Sequence, residues 1–217
     1  MVVVAGTVGY GPAAEIFALQ YESISFQEVH GEVLPLFPPP PARVADLGAG
    51  SGRDAAGLTA LGYHVVAVEP TPELREIGQQ LHAESPIRWI DDALPHLSGL
   101  HGPFDLILIV AVWMHLEPEE REAAMRRLRS LLAPRGRAVI TLRHGPLPSG
   151  RRMFDVPISE VLSLGRAVGL DVTAVISQPD LQGRADVNWS VVVLQALPPQ
   201  GAGVTGEWTA PFRRAGR

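Results

Sequence analysis

From Arg43 onward the chain alternates short, wholly apolar runs with longer stretches in which apolar residues recur every three or four positions. The runs "RVADL", "HVVAVE", "IRWID", "FDLILIVAV" and "RAVITLR" read as strands. The stretches "RDAAGLTALG", "TPELREIGQQLHAE", "EPEEREAAMRRLRSLLA" and "SEVLSLGRAVGL" read as helices, the third stopped by Pro134 and Gly136. Strands without polar alternation are buried on both faces, and helices between them supply the cover. The pattern therefore predicts an α/β fold with a doubly wound, mostly parallel sheet. "DVTAVIS" and "WSVVVLQAL" have no helical pattern between them and are expected to pair antiparallel at the sheet edge.

Ahead of this unit, Ile16 to Leu36 carries loose helical spacing and runs into "PLFPPPP", which cannot continue a helix. Three regions follow: an N-terminal helical segment with a Pro-rich linker (1–41), the sheet domain (42–197) and a Gly/Pro-rich tail (198–217). A length of 217 residues suits one hydrophobic core. The absence of cysteine excludes disulfides, thiolate metal sites and cysteine nucleophiles, and suits a reducing cytoplasm. A net charge of −5 offers no field to attract a phosphate backbone, so nucleic acid is not an expected partner. "MVVVAG" lacks a basic leader, and "FDLILIVAVWM" falls short of the ~20 residues of a membrane span. A cytoplasmic protein without membrane attachment is expected. His96 and His101 stand in a Pro/Gly loop without further ligands at metal spacing, so no metal site is expected.

The chemistry begins at "VADLGAGSGRDAA", where Gly48, Gly50 and Gly52 follow the first strand and open a helix. Glycines there let a ligand lie against bare backbone, with the helix N-terminus pointing donors at it. A dinucleotide loop would read G-x-G-x-x-G, but Arg53 occupies the third glycine's place. Three acids extend the pattern. Asp46 precedes the loop, where a carboxylate can meet a ligand ammonium. Glu69 ends the second strand, the place from which an acid reaches ribose hydroxyls. Asp92 ends the third in "WIDDALP", where the carboxylate and the next N–H can read an adenine edge, leaving Asp91 as a surface turn residue.

With "VVAVEP", "IDDALP", "FDLILIVAVWMHL" and "LLAPRGRAVITLRHGP" in the same order, the chain resembles the class I S-adenosylmethionine-dependent methyltransferases of the small-molecule type, from about Arg43 to Leu197. The resemblance implies a seven-stranded sheet with a final antiparallel strand and helices on both faces. It also implies S-adenosyl-L-methionine as cofactor, with S-adenosyl-L-homocysteine as product. Asp46 and Gly48 would lie near the methionine moiety, Glu69 on the ribose, and Asp92 with Ala93 at the adenine. Ala49, Gly50, Arg53, Pro70 and Val110 complete the expected cofactor contacts. The activity implied is methyl transfer to a small molecule, achieved mainly by proximity and orientation.

The remaining candidates concern the acceptor. His115 follows the fourth strand at the carboxyl edge and is a candidate general base. Tyr10 and Tyr21 belong to the N-terminal segment, which in this family can close over the cofactor as a lid; Tyr21 is also a catalytic candidate and Tyr10 a substrate contact. Trp113 and Met114 are expected in the pocket wall. Arg143, His144, Arg151 and Arg152 form a basic cluster suited to a carboxylate or another anion, with Arg143 and Arg152 as the expected substrate contacts. Two other readings share the glycine loop: a nicotinamide-dependent oxidoreductase, and a non-catalytic S-adenosylmethionine-binding regulatory module. Binding of NAD would favour the first, and binding without turnover the second.

Overall fold

The computed structural model describes residues 4–198, so the tail from 199 onward, with Trp208 and Phe212, lies outside the described residues. The strands are β1 (Arg43–Leu47), β2 (His64–Val68), β3 (Arg88–Ile90), β4 (Phe104–Ile109), β5 (Leu132–His144), β6 (Leu170–Pro179) and β7 (Asn188–Ala196). They form one sheet in the order β3-β2-β1-β4-β5-β7-β6. β7 runs antiparallel to both β5 and β6, while β1 to β5 pair in parallel. The chain leaves β1 for β2 on one side and later returns to β4 on the other. That reversal opens a crevice at the strands' carboxyl ends, where open α/β sheets bind ligands.

The helices are α1 (Ala14–Glu22), α2 (Phe26–His30), α3 (Arg53–Ala60), α4 (Pro72–Leu81), α5 (Pro118–Leu131) and α6 (Ile158–Ala167). Strand alternation sorts the core between them. Val44, Leu106, Leu108 and Val139 pack with Ala55 and Leu58 of α3. Their neighbours Ala45, Leu47, Ile107 and Ile109 face the other way, toward Ala124, Met125 and Leu128 of α5. Asp46, one step beyond Ala45, therefore emerges on the α3 side at the end of β1.

Two boundaries depart from the sequence reading. α5 ends at Leu131, and Leu132 already pairs with Phe104. Pro134 and Gly136 ride inside β5 as an irregularity, with Arg135 at a φ of 64°, before Arg137 pairs with Leu106. The N-terminal pattern is not one helix. Ser25 accepts the backbone N–H of Glu28 and Glu28 reaches back to the Ser25 N–H, a capping box that starts α2 afresh. α1 lies on α4 through Ala14, Ala18 and Leu74, joined by Phe17, Tyr21 and Ile77. Among the described residues no helix is long and apolar enough to cross a membrane.

Candidate active site

The Gly48–Gly52 loop hangs from the end of β2. The Gly48 and Ala49 N–H groups both donate to the Val68 carbonyl, at 2.7 and 3.0 Å. Gly48 has a φ of 70°, and a Cβ there would fall 2.4 Å from Val112 Cγ2, so only glycine fits. Glu69 clamps the same loop, accepting Gly50 N–H on Oε2 and Thr71 N–H on Oε1, each at 2.8 Å. Burial pushes the Glu69 carboxyl up, and those two N–H donors and Arg75 work against it. Each of its oxygens keeps a second lone pair for a further donor.

Two buried aspartates beside the loop have opposite fates. Burial raises the Asp54 carboxyl, but His30 and Arg53 outweigh it and hold it well below the usual range. Arg53 grips it twice, Nε to Oδ1 at 2.8 Å and Nη2 to Oδ2 at 3.0 Å, and donates its Nη1 to the Tyr21 carbonyl at 3.1 Å. Asp46 is 1% exposed, and its Oδ2 has no hydrogen-bond partner among the described residues. Burial, then the nearby Asp54 charge, push its carboxyl well above the ordinary value, with Arg53 opposing.

At the end of β3, Asp91 is exposed and paired with Arg75 at 3.0 Å. Asp92 accepts Ala93 N–H at 2.8 Å and Gly99 N–H at 2.7 Å, closing the 92–99 loop upon itself. The Ala93 N–H, expected to read adenine, is therefore committed to its own neighbour's side chain, because Asp92 folds back as a turn-former.

These groups face one cavity of about 290 Å³. All ten cofactor contacts expected from the sequence line it, as do Tyr10, Tyr21, His115 and Arg143. Two expected substrate contacts do not. Trp113 is fully buried in the core, and its neighbours Val112 and Met114 reach the cavity instead. Arg152 turns away to bind Glu117 and Glu120, both at 2.9 Å, because those two carboxylates project at the start of α5. His144 is also drawn off, to Ser190 Oγ on β7 at 3.0 Å. Arg151 is the arginine of that loop that enters, its guanidinium 5.5 Å over the Tyr10 ring and 5.2 Å over Phe17.

His115 sits between two partners. Its Nδ1 is 2.6 Å from the Arg152 carbonyl and its Nε2 3.0 Å from the Tyr10 hydroxyl. A carbonyl only accepts, so the proton is assigned to Nδ1 and Nε2 is left to accept from Tyr10. Burial lowers the His115 pKa, with the cations Arg151 and Arg152 acting the same way and the carbonyl bond opposing. The imidazole is neutral at neutral pH. Burial, then Tyr10, raises the Tyr21 hydroxyl strongly, so that it keeps its proton, and its ring covers Gly50 at 3.2 Å from where a Cβ would stand.

The sequence reading missed two features. Thr141 Oγ1 accepts the Ala111 N–H at 2.7 Å, steadying a residue with a φ of 57° in the cavity wall; nothing in the sequence marks it. Asp180 binds Arg184 through Nε and Nη2 at 3.0 and 2.6 Å and the Trp189 indole at 2.9 Å, locking the β6–β7 connection against the cavity. The D-x-x-x-R spacing across a turn was its signal.

Residues 44–136 match the family model described as a methyltransferase domain. An uncharacterized methyltransferase of Oceanobacillus iheyensis is 29% identical over 97 residues, 45% of each chain. The chain spans less than half the length of the curated relatives it matches. Among solved structures, a TehB-like SAM-dependent methyltransferase from Corynebacterium glutamicum aligns with a TM-score of 0.66 at 22% identity, covering 85% of this chain and 98% of that one. The 1,6-didemethyltoxoflavin-N1-methyltransferase of Burkholderia thailandensis, solved with that compound and S-adenosylhomocysteine, aligns with a TM-score of 0.60 at 20% identity, covering 91% and 92%.

Proposed function

We propose that this chain is a class I S-adenosylmethionine-dependent methyltransferase, a reading supported by the methyltransferase-domain match over residues 44–136 and by its fold, and that it transfers a methyl group to a small-molecule acceptor. The observation that carries the reading is the Asp46 Oδ2 atom, buried at the cavity wall beside the glycine loop and without a partner among the described residues. A buried carboxylate oxygen is costly unless a cation or donor meets it, and the ammonium of the methionine moiety is such a group. The donor set fits the rest of the molecule. Gly48, Ala49 and Gly50 present bare backbone, Glu69 and Asp92 have lone pairs for ribose and adenine donors, and Pro70, Ala93 and Val110 supply walls. When bound, S-adenosylmethionine supplies an activated methyl group, so the protein's own task is alignment, exclusion of water and handling of one proton.

That proton goes to His115. The Arg152 carbonyl fixes Nδ1–H, and Tyr10 donates its hydroxyl proton to Nε2 while taking one from the acceptor atom, so the imidazole ends protonated and Tyr10 is restored. Tyr10 and Tyr21 belong to the segment 4–41, which acts as a lid held to the loop by Arg53–Tyr21 and Ser51–Glu22 contacts. Tyr21, holding its own proton, closes the wall over Gly50 and is not the base.

The test is calorimetry followed by turnover. S-adenosylhomocysteine should bind the wild type one to one, NAD should not, and acceptor screening should release S-adenosylhomocysteine from S-adenosylmethionine. Binding without release from any acceptor class would favour a regulatory module. Binding of NAD in its place would favour an oxidoreductase.

A further inference from the structure

Resting on the methyl-transfer reading above, we propose that the acceptor carries an oxyanionic group, a carboxylate or a phosphate, held between Arg143 and Arg151. Arg143 is 8% exposed and lines the cavity from the end of β5, its Nη1 fixed by the Pro146 carbonyl at 2.8 Å. Arg151 enters from the following loop, stacked over Tyr10 and Phe17, with Nη1 3.4 Å from the Tyr10 hydroxyl. Among the described residues no carboxylate lies within 4 Å of either guanidinium, whereas Arg53, Arg75, Arg121 and Arg184 each hold one and Arg152 holds two.

The acid best placed to neutralise Arg143 is taken. Asp180 raises the Arg143 pKa by its charge, but both its oxygens serve Arg184 and Trp189. Burial and the like charges of Arg184 and Arg151 pull Arg143 below its ordinary value. Gathering cations in a cavity without a counter-anion is unfavourable, and an arriving oxyanion reverses that sign while gaining two-point guanidinium contacts. The wall beside them is apolar, built from Met114, Met153, Leu181 and Trp189. The anion therefore belongs to a molecule with an apolar or aromatic body. Because Arg151 also touches Tyr10, the anion is anchored next to the Tyr10–His115 pair that receives the acceptor's proton.

The experiment titrates each protein first with S-adenosylhomocysteine, then titrates the saturated complex with benzoate, phenyl phosphate and benzamide. In the wild type at least one of the two oxyanions should saturate and benzamide should not; benzoate identifies a carboxylate subsite, phenyl phosphate a phosphoryl one. Arg143→Gln and Arg151→Gln should each weaken the bound oxyanion by at least about tenfold, the loss of one charged hydrogen bond, with S-adenosylhomocysteine affinity within about twofold as evidence of folding. Arg166→Gln, an exposed arginine on α6, should change neither. The proposal is overturned if benzamide binds as tightly as benzoate, if neither oxyanion saturates, or if both variants keep wild-type affinity. Failure of S-adenosylhomocysteine to bind the wild type overturns the methyl-transfer reading and this proposal with it; every other negative result strikes this proposal alone.

Discussion

Replacing Asp46 by asparagine should move stability and ligand affinity in opposite directions. In the free protein the carboxylate is buried, lacks a partner at Oδ2 and is raised above its ordinary value. The folded state thus holds this proton more tightly than the unfolded chain, whose aspartates titrate near about 3.9. Stability is lost as pH rises from that value through the folded pKa, so at pH 7 the wild type carries a penalty that it lacks near pH 4. Asp46→Asn removes the charge and keeps the shape, so the unliganded variant should melt higher than wild type at pH 7. The gap should close near about pH 4, where wild-type Asp46 is itself neutral. Affinity runs the other way. Losing one charged hydrogen bond is worth about 1.5–3 kcal/mol, which is a 10- to 150-fold weakening of S-adenosylhomocysteine. At a ligand concentration 100 times the wild-type Kd, stabilisation is about 2.7 kcal/mol. After a hundredfold weakening, the same concentration yields about 0.4 kcal/mol. For a chain of this size that is a ligand-induced Tm shift falling from roughly 5–11 °C to 1–2 °C. Scanning fluorimetry across pH, with and without S-adenosylhomocysteine, reads both effects. An unliganded variant that melts lower than wild type at pH 7 and keeps the full ligand shift would instead make Asp46 a structural acid with no part in cofactor binding.

If the pair handles the acceptor's proton as proposed, Tyr10→Phe and His115→Gln should each lower kcat by about 10²- to 10⁴-fold while leaving S-adenosylhomocysteine affinity unchanged; a parallel loss of cofactor affinity in calorimetry would assign them to the cradle instead. The wild-type rate should rise with pH on a limb below the ordinary histidine value of 6.5, because burial lowers His115 and only its neutral form accepts a proton; a limb above that value in a pH–rate profile would exclude it. His115 also binds its proton less readily folded than unfolded, so stability should decline as pH falls through 6.5, and His115→Gln should flatten that slope in urea titrations. Asp92→Ala should weaken S-adenosylhomocysteine by about 10- to 150-fold and loosen the 92–99 loop, whereas exposed Asp91→Ala should shift its Kd by less than about twofold; calorimetry on both variants decides it, and the reverse order would mark the wrong aspartate.

The sheet and its helices were legible because unbroken apolar runs and three-to-four spacing report burial directly, and the glycine loop because a positive φ at Gly48 admits little else. Boundaries were less so. Leu132 to Gly136 reads as a helix stop, yet pairing of Leu132 with Phe104 extends β5 around the proline, a long-range gain that local propensity does not contain. The acceptor side shows the same limit. Arg151 and Arg152 are adjacent in an irregular loop, where no period says which points inward. The choice was made by Glu117 and Glu120, more than 30 positions away, which draw Arg152 outward and leave Arg151 to the cavity. Trp113 and Met114 were equally ambiguous at the end of β4, and a short 3-10 turn over Trp113–His115 put the indole in the core and His115 at the cavity.

A crystal structure with S-adenosylhomocysteine would decide the role of Asp46, because it places the amino group of the methionine moiety. That nitrogen should lie within hydrogen-bond distance of Asp46 Oδ2, about 2.7–3.2 Å, with the amino-acid backbone lying against Gly48 and Gly50 and the acceptor side open toward Tyr10, His115 and Arg151. A ligand bound elsewhere, or bound in this cavity with Asp46 Oδ2 still unpartnered, would contradict it.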